Sequence, residues 1–318
     1  MHSIQPMFME PVFKETVWGG DQIQTVFGKP IPSSHTGESW EVAAHPNGHS
    51  RIRSGYMQGK TLQQAIEEAP ETILGTQGAA RYGTHFPLLI KIIDANDNLS
   101  VRVHPDDTLA RQLEGPHENG KTEMWIVLDA KPGAKLIYGF RQDITSEQFA
   151  QAIEDQTLEE LVNWIPVHRG DTFFIPAGTL HAIGAGILIA EIQQNSDTTY
   201  RVYDFGRLGL DGKPRQLHTE KAKLATCLKA SAGSELSDID TGVCCPYFST
   251  YRRTLQDTEE IPVDPAHFQI LMILEGSGVL NGEPFRAGDS VLLPAAMGTA
   301  SLQGHAVYLQ IMQGKSES

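Results

Sequence analysis

Cysteine is scarce in this chain: three in 318 residues, Cys227, Cys244 and Cys245. They make no CxxC pair and no even-numbered framework, which excludes a small disulfide scaffold, argues against a sulfur-ligated metal and fits a reducing compartment. Long apolar runs are also missing. The longest, residues 183–192, is too short to cross a bilayer, and the first 17 residues, with Glu10, Pro11, Lys14 and Glu15, contain no apolar stretch of the signal-peptide kind. A soluble, cytoplasmic protein with no membrane partner is expected. Basic residues are in deficit, 25 Lys and Arg against 39 Asp and Glu, for a formal net charge of −14. Proteins that grip a nucleic-acid backbone need a net basic face, so nucleic acid is not an expected partner.

What is present is strand. Short apolar segments bounded by Gly, Pro or Asn recur at 87–93, 99–104, 124–128, 172–175, 187–193, 268–274, 290–293 and 306–312, a spacing that predicts a mainly β protein of the sandwich or jelly-roll kind. Helical periodicity is confined to 61–68, 107–113, 146–164 and 219–228, peripheral to a β core; in the third, Phe149, Ile153, Leu158, Leu161 and Val162 form an apolar stripe behind a Thr145/Gln148 capping pair. A length of 318 suggests two domains, and the apolar pattern lapses between Lys229 and Gly242. The expected division is 1–235 and 236–318.

An internal repeat supports two modules. Gly170-Asp171 followed by Thr-Phe-Phe-Ile-Pro176-Ala returns as Gly288-Asp289 followed by Ser-Val-Leu-Leu-Pro294-Ala. The copies differ downstream: the first continues to His181, and the second has Thr299 at the equivalent place. The first copy, Gly170-x5-Pro176-x-Gly178-x2-His181, resembles the second sequence motif of cupins, small jelly-roll barrels that bind a metal. The cupin first motif is then sought upstream, and His104 and Glu123 can supply it. Two histidines and one carboxylate are the set of an open catalytic Zn²⁺ or non-haem Fe²⁺ site. In strand geometry Arg102 and His104 share one face while Val101 and Val103 fill the other. Glu191 and Asp94 are alternative ligands, or partners for Lys or Arg inside the barrel.

The resemblance narrows further. Trp18-Gly-Gly, Gly37-Glu-Ser-Trp40, the 87–95 segment with Lys91 and Asp94, Leu99 to Asp107, Lys121-Thr-Glu123-Met-Trp125, the His181 motif and Asn195-Ser-Asp197-Thr-Thr-Tyr-Arg201 are similar, in order, to the motifs of type I mannose-6-phosphate isomerases in their short bacterial form. What the resemblance implies is two cupin-like modules, the N-terminal one alone carrying a metal, and reversible interconversion of mannose 6-phosphate and fructose 6-phosphate. It implies one Zn²⁺ per chain held by His104, Glu123 and His181, with other divalent metals able to substitute. The family commonly has a ligating Gln where this chain has Arg102, and a guanidinium has no lone pair to donate. Arg201 matches the family's catalytic arginine and suits an enediolate oxyanion. Either Lys121 or Asp197 is the expected acid–base group, with the choice open, and Lys91 and Arg102 are the expected phosphate contacts in an otherwise acidic protein. An Fe²⁺ dioxygenase and a sugar-phosphate-sensing cupin are the rival readings of the same triad. Oligomeric state is not encoded in any of these features.

Overall fold

A computed structural model describes residues 4–231 and 236–314. The alternation of apolar residues builds three stacked sheets. The middle sheet runs Thr172–Ile175, Glu123–Ala130, Ile187–Gln194, Leu88–Ala95, Thr36–Val42 and Val12–Gly20, all antiparallel. Two of these strands, Leu88–Ala95 and Ile187–Gln194, are buried at every residue because both faces of the sheet are covered. Leu88, Ile90, Ile92, Met124, Ile126 and Leu188 pack on the C-terminal sheet. Ile93, Trp125, Val127 and Ile189 point the other way and pack against Leu136 and Tyr138 of a five-stranded sheet and against Ile183, just past one of its strands. That sheet orders Val162–Pro166, Lys135–Phe140, His181–Ala182, Val101–Val103 and Tyr200–Tyr203. Its outer face, with Val101, Val103 and Val202, is covered by Phe149 and Ala222 from two helices.

The mainly β, cupin-like architecture is as expected, but the strands pair as open sheets facing one another and not as closed barrels. The division after residue 235 falls at a stretch, 232–235, that lies outside the described residues. Strand pairing mixes the two expected modules. Met7–Glu10 pairs with Ser290–Leu293 on one side and Arg51–Ser54 on the other, so two N-terminal strands complete the C-terminal sheet.

The repeat is a shared turn. Gly170 and Gly288 have φ of 93° and 90°, the left-handed region that glycine adopts without steric cost. The following aspartate closes each turn in the same way: the amides of His168 and Arg286 donate to Asp171 Oδ2 at 2.8 Å and Asp289 Oδ2 at 2.9 Å. After the proline the copies part. The first sends its chain to His181, with the Gly178 amide donating to His104 O at 2.9 Å, whereas the second forms a 3₁₀ turn at Ala295–Met297.

One helix is shorter than its stripe. The capping box at Thr145 and Gln148 forms, but the helix ends at Glu154, a 3₁₀ turn follows at Leu158–Glu160, and Val162–Pro166 is a strand. Gln156 sits at φ 58°, where a right-handed helix cannot continue. The apolar residues expected on one helix are therefore shared among three elements. Helices at Gln22–Phe27 and Pro70–Leu74 are too short to announce themselves by periodicity, and Thr76–Tyr82 buries only Gly78, so it carries no apolar stripe. Among the described residues no helix is long and apolar enough to cross a membrane.

Candidate metal centre and active site

The site lies between the middle and five-stranded sheets, where period-two alternation aims polar side chains inward. Glu123 opens its strand, two residues before Trp125 on the same face. His181 pairs across strands with Arg102, and His104 follows that same strand directly. His104, Glu123 and His181 are buried, and one ligand atom from each falls within 4.8 Å of the others. His181 Nε2 is 3.4 Å from Glu123 Oε1, and His104 Nε2 is 3.7 Å from Glu123 Oε2.

The tautomers follow from the backbone. His104 Nδ1 faces Thr198 O at 2.8 Å and His181 Nδ1 faces Thr179 O at 2.9 Å. A carbonyl only accepts, so each Nδ1 carries the proton and each Nε2 presents a lone pair to the centre, the arrangement in which imidazoles bind metals. Both Glu123 oxygens are buried with no hydrogen-bond donor of good geometry, although Lys121 Nζ forms an ion pair with Oε2 at 2.6 Å. Two imidazole nitrogens with their lone pairs turned inward, that of His104 facing Lys121 Nζ at 3.2 Å, and a carboxylate short of donors make a donor set that fits a divalent cation.

Burial, reinforced by the charges of Lys121 and Arg102, pulls His104 well below the ordinary histidine range and His181 down to about 3. Both imidazoles stay neutral in the folded, metal-free protein while the unfolded chain takes up protons below about pH 6.5. Their contribution is complete above that pH and is lost as pH falls, by about 1.4 kcal/mol per unit for each histidine. With chelator present, the melting temperature is expected to drop steadily from pH 6.5 to 5; a flat profile over that range would contradict the neutral, buried pair.

The other expected residues assemble around this triad. Lys121 Nζ is also 3.2 Å from His104 Nε2 and 3.8 Å from Glu191 Oε1. Asp197 lines the same cavity, and its Oδ2 accepts from Asn47 Nδ2 at 2.9 Å. Arg102 lines it too, donating through Nε to Ser100 O at 3.0 Å and through Nη2 to Ser100 Oγ at 2.9 Å. Arg201 stands across from Arg102 in the sheet; its Nε donates to the same Ser100 Oγ at 3.2 Å and its Nη1 to Gln216 O at 2.9 Å. Lys91 is buried between Glu38, 3.2 Å away, and Glu191, 3.6 Å away. Burial alone would depress its pKa, and the two carboxylates outweigh that and raise it.

Glu191 is a partner inside the site, not a member of the triad: Trp125 Nε1 donates to it at 2.9 Å, and burial next to Glu123 raises its pKa. Asp94 lies apart, accepting from Gln22 N and Nε2 at 2.7 and 2.9 Å at the start of a helix. Trp18 belongs to the core and Trp40 packs beneath Lys91, its ring centroid 5.0 Å from Nζ. Glu38, which holds Lys91 and accepts from Trp40 Nε1 at 2.6 Å, was not singled out by sequence reasoning. Its signal was available, since Glu38 and Trp40 are two apart in a strand and must share a face.

Residues 7–143 match the family model for the phosphomannose isomerase type I catalytic domain, and residues 238–312 match that for the mannose-6-phosphate isomerase cupin domain. Mannose-6-phosphate isomerase ManA of Bacillus subtilis is 39% identical over 314 residues, covering 95% of this chain and 97% of that protein. The chain belongs to the type I phosphomannose isomerases. A Streptococcus mutans mannose-6-phosphate isomerase is 38% identical over 301 residues, covering 91% and 92% of the two chains. The crystal structure of the Bacillus subtilis mannose 6-phosphate isomerase superposes with a TM-score of 0.86 at 37% identity, covering 96% of this chain and 99% of that one. Type I phosphomannose isomerases are metal-dependent, and in this member the buried His104, Glu123 and His181 form a group able to hold the ion.

Proposed function

We propose that this protein interconverts mannose 6-phosphate and fructose 6-phosphate through a cis-enediolate, using one Zn²⁺ per chain held by His104, Glu123 and His181. The observation that carries this reading is the convergence of those three side chains, each imidazole tied through Nδ1 to a backbone carbonyl. Bound there, a divalent cation supplies positive charge opposite the sugar oxygens. Arg102 has no lone pair to add, so the chain offers three ligands.

The chain's own residues divide the remaining work. Isomerisation takes a proton from C2 and returns it to C1. Asp197, a carboxylate on the cavity wall, is suited to carry that proton, since its Oδ2 is already engaged by Asn47 and its other oxygen is left for substrate. Lys121, paired as a cation with Glu123, is suited to donate toward a sugar oxygen during ring opening. Arg201 offers a permanent charge to the anionic substrate. Residues 1–235 are read as the catalytic unit and 236–318 as a cupin-like unit without ligands. Three free thiols support a cytoplasmic setting.

The test is a coupled assay that follows fructose 6-phosphate after adding mannose 6-phosphate to metal-replete protein. Turnover is expected, lost with chelator and restored by Zn²⁺. Absence of chelator-sensitive turnover would overturn the reading.

A further inference from the structure

The cations of this region are not equivalent: Lys91, Arg102 and Lys121 line the cavity, while Arg201 stands beside it, sharing the Ser100 hydroxyl with Arg102. Lys91 is matched by Glu38 and Glu191, and Lys121 by Glu123. Arg207 and Arg215 both bind the nearly buried Asp204, and Arg207 also meets Asp97 at 3.4 Å. Among the described residues, Arg102 and Arg201 alone of this group have no carboxylate partner. Each is half-buried, and their hydrogen-bond acceptors are neutral: the hydroxyl and carbonyl of Ser100 and the carbonyl of Gln216.

Two guanidiniums within hydrogen-bond reach of one oxygen repel each other, and among the described residues neither has a carboxylate at ion-pair distance: Glu38, Glu123 and Glu191 act on Arg102, and Asp204 on Arg201, from further away. An anion bridging the two forks would relieve that repulsion. Ser100 is fully buried and its hydroxyl accepts from both, so the two forks are held side by side before any ligand arrives. A phosphate dianion has the charge and the several acceptor oxygens that paired guanidiniums recognise. Both arginines project from the strands that border the triad, one of them cross-strand from His181.

We propose that Arg102 and Arg201 form the anchor for the phosphate group of the substrate, with Ser100 as the positioning residue that sets their spacing. The inference rests on the sugar-phosphate reading and sharpens it. It assigns phosphate recognition to Arg102 together with Arg201, removes Lys91 from that role because its charge is already matched, and moves Arg201 from the enediolate to the phosphate end of the substrate.

The experiment is calorimetric titration of inorganic phosphate into the full-length protein, both stripped of metal and loaded with Zn²⁺. Saturable binding is expected in both states. Arg102→Met and Arg201→Met are each expected to weaken it at least about tenfold, with Arg102→Lys falling between wild type and Arg102→Met because charge is kept and the fork is lost. The same substitutions should raise KM for mannose 6-phosphate by more than they lower kcat. Retained metal stoichiometry confirms that each variant is folded. Phosphate binding that is unchanged in either Met variant, or that appears only with metal loaded, overturns the anchor. Failure of the isomerase reading is recognised separately, by wild-type protein that binds phosphate and turns over no mannose 6-phosphate.

Discussion

His181→Ala is expected to lose bound metal and turnover together, with the rate falling by at least about a thousandfold. The chain supplies three donors at the centre, and Arg102, on the strand beside His181, cannot act as a replacement. Removing His181 leaves one imidazole and one carboxylate, too few to retain an ion against dialysis. The substitution also opens a small space beside Trp125, whose ring lies 5.3 Å from that of His181, so a modest fall in melting temperature accompanies the loss. Metal analysis of the purified variant, alongside the coupled assay, checks both halves. One equivalent of metal retained by His181→Ala would remove this residue from the ligand set.

Asp197→Asn separates proton transfer from metal binding. The amide can still accept from Asn47 Nδ2 through its own oxygen, so the loop keeps its shape, and Thr198 O next to it can still orient His104. What disappears is the carboxylate proposed as the base. The expected result is full metal content, a KM within a few-fold of wild type and a kcat lowered by about 10² to 10⁴. The rival assignment predicts the reverse order of damage, with Lys121→Met losing kcat and Asp197→Asn staying active. Measuring both variants under metal-saturating conditions decides which group carries the proton.

How much of this was legible beforehand varied by feature. The repeat and most strand positions could be read because they depend on local patterns: a Gly-Asp turn closing on an amide three residues back, or apolar residues alternating in a strand. The group able to hold a metal was legible through resemblance to known motifs, since spacing alone does not bring residues 104, 123 and 181 together. Lys91 shows where local reading stops. A sequence displays a lysine but not the two carboxylates, 53 and 100 positions away, that neutralise it. The stripe across 146–164 failed for another reason: apolar periodicity does not register a backbone reversal at Gln156. Nor does any local pattern reveal that Met7–Glu10 pairs with Ser290–Leu293.

That last pairing has a consequence for biosynthesis. Met7, Phe8 and Met9 are buried in the finished molecule, and one side of their strand is covered only by residues some 280 positions later. At a ribosomal speed of about 5–20 residues per second, this apolar segment waits roughly 15 to 60 seconds for its partner. A chain released early, or truncated before residue 290, presents an unpaired and sticky strand edge. The C-terminal sheet thus holds Met7–Glu10 in place only after Ser290–Leu293 has been made, tying the burial of an early strand to the synthesis of a late one.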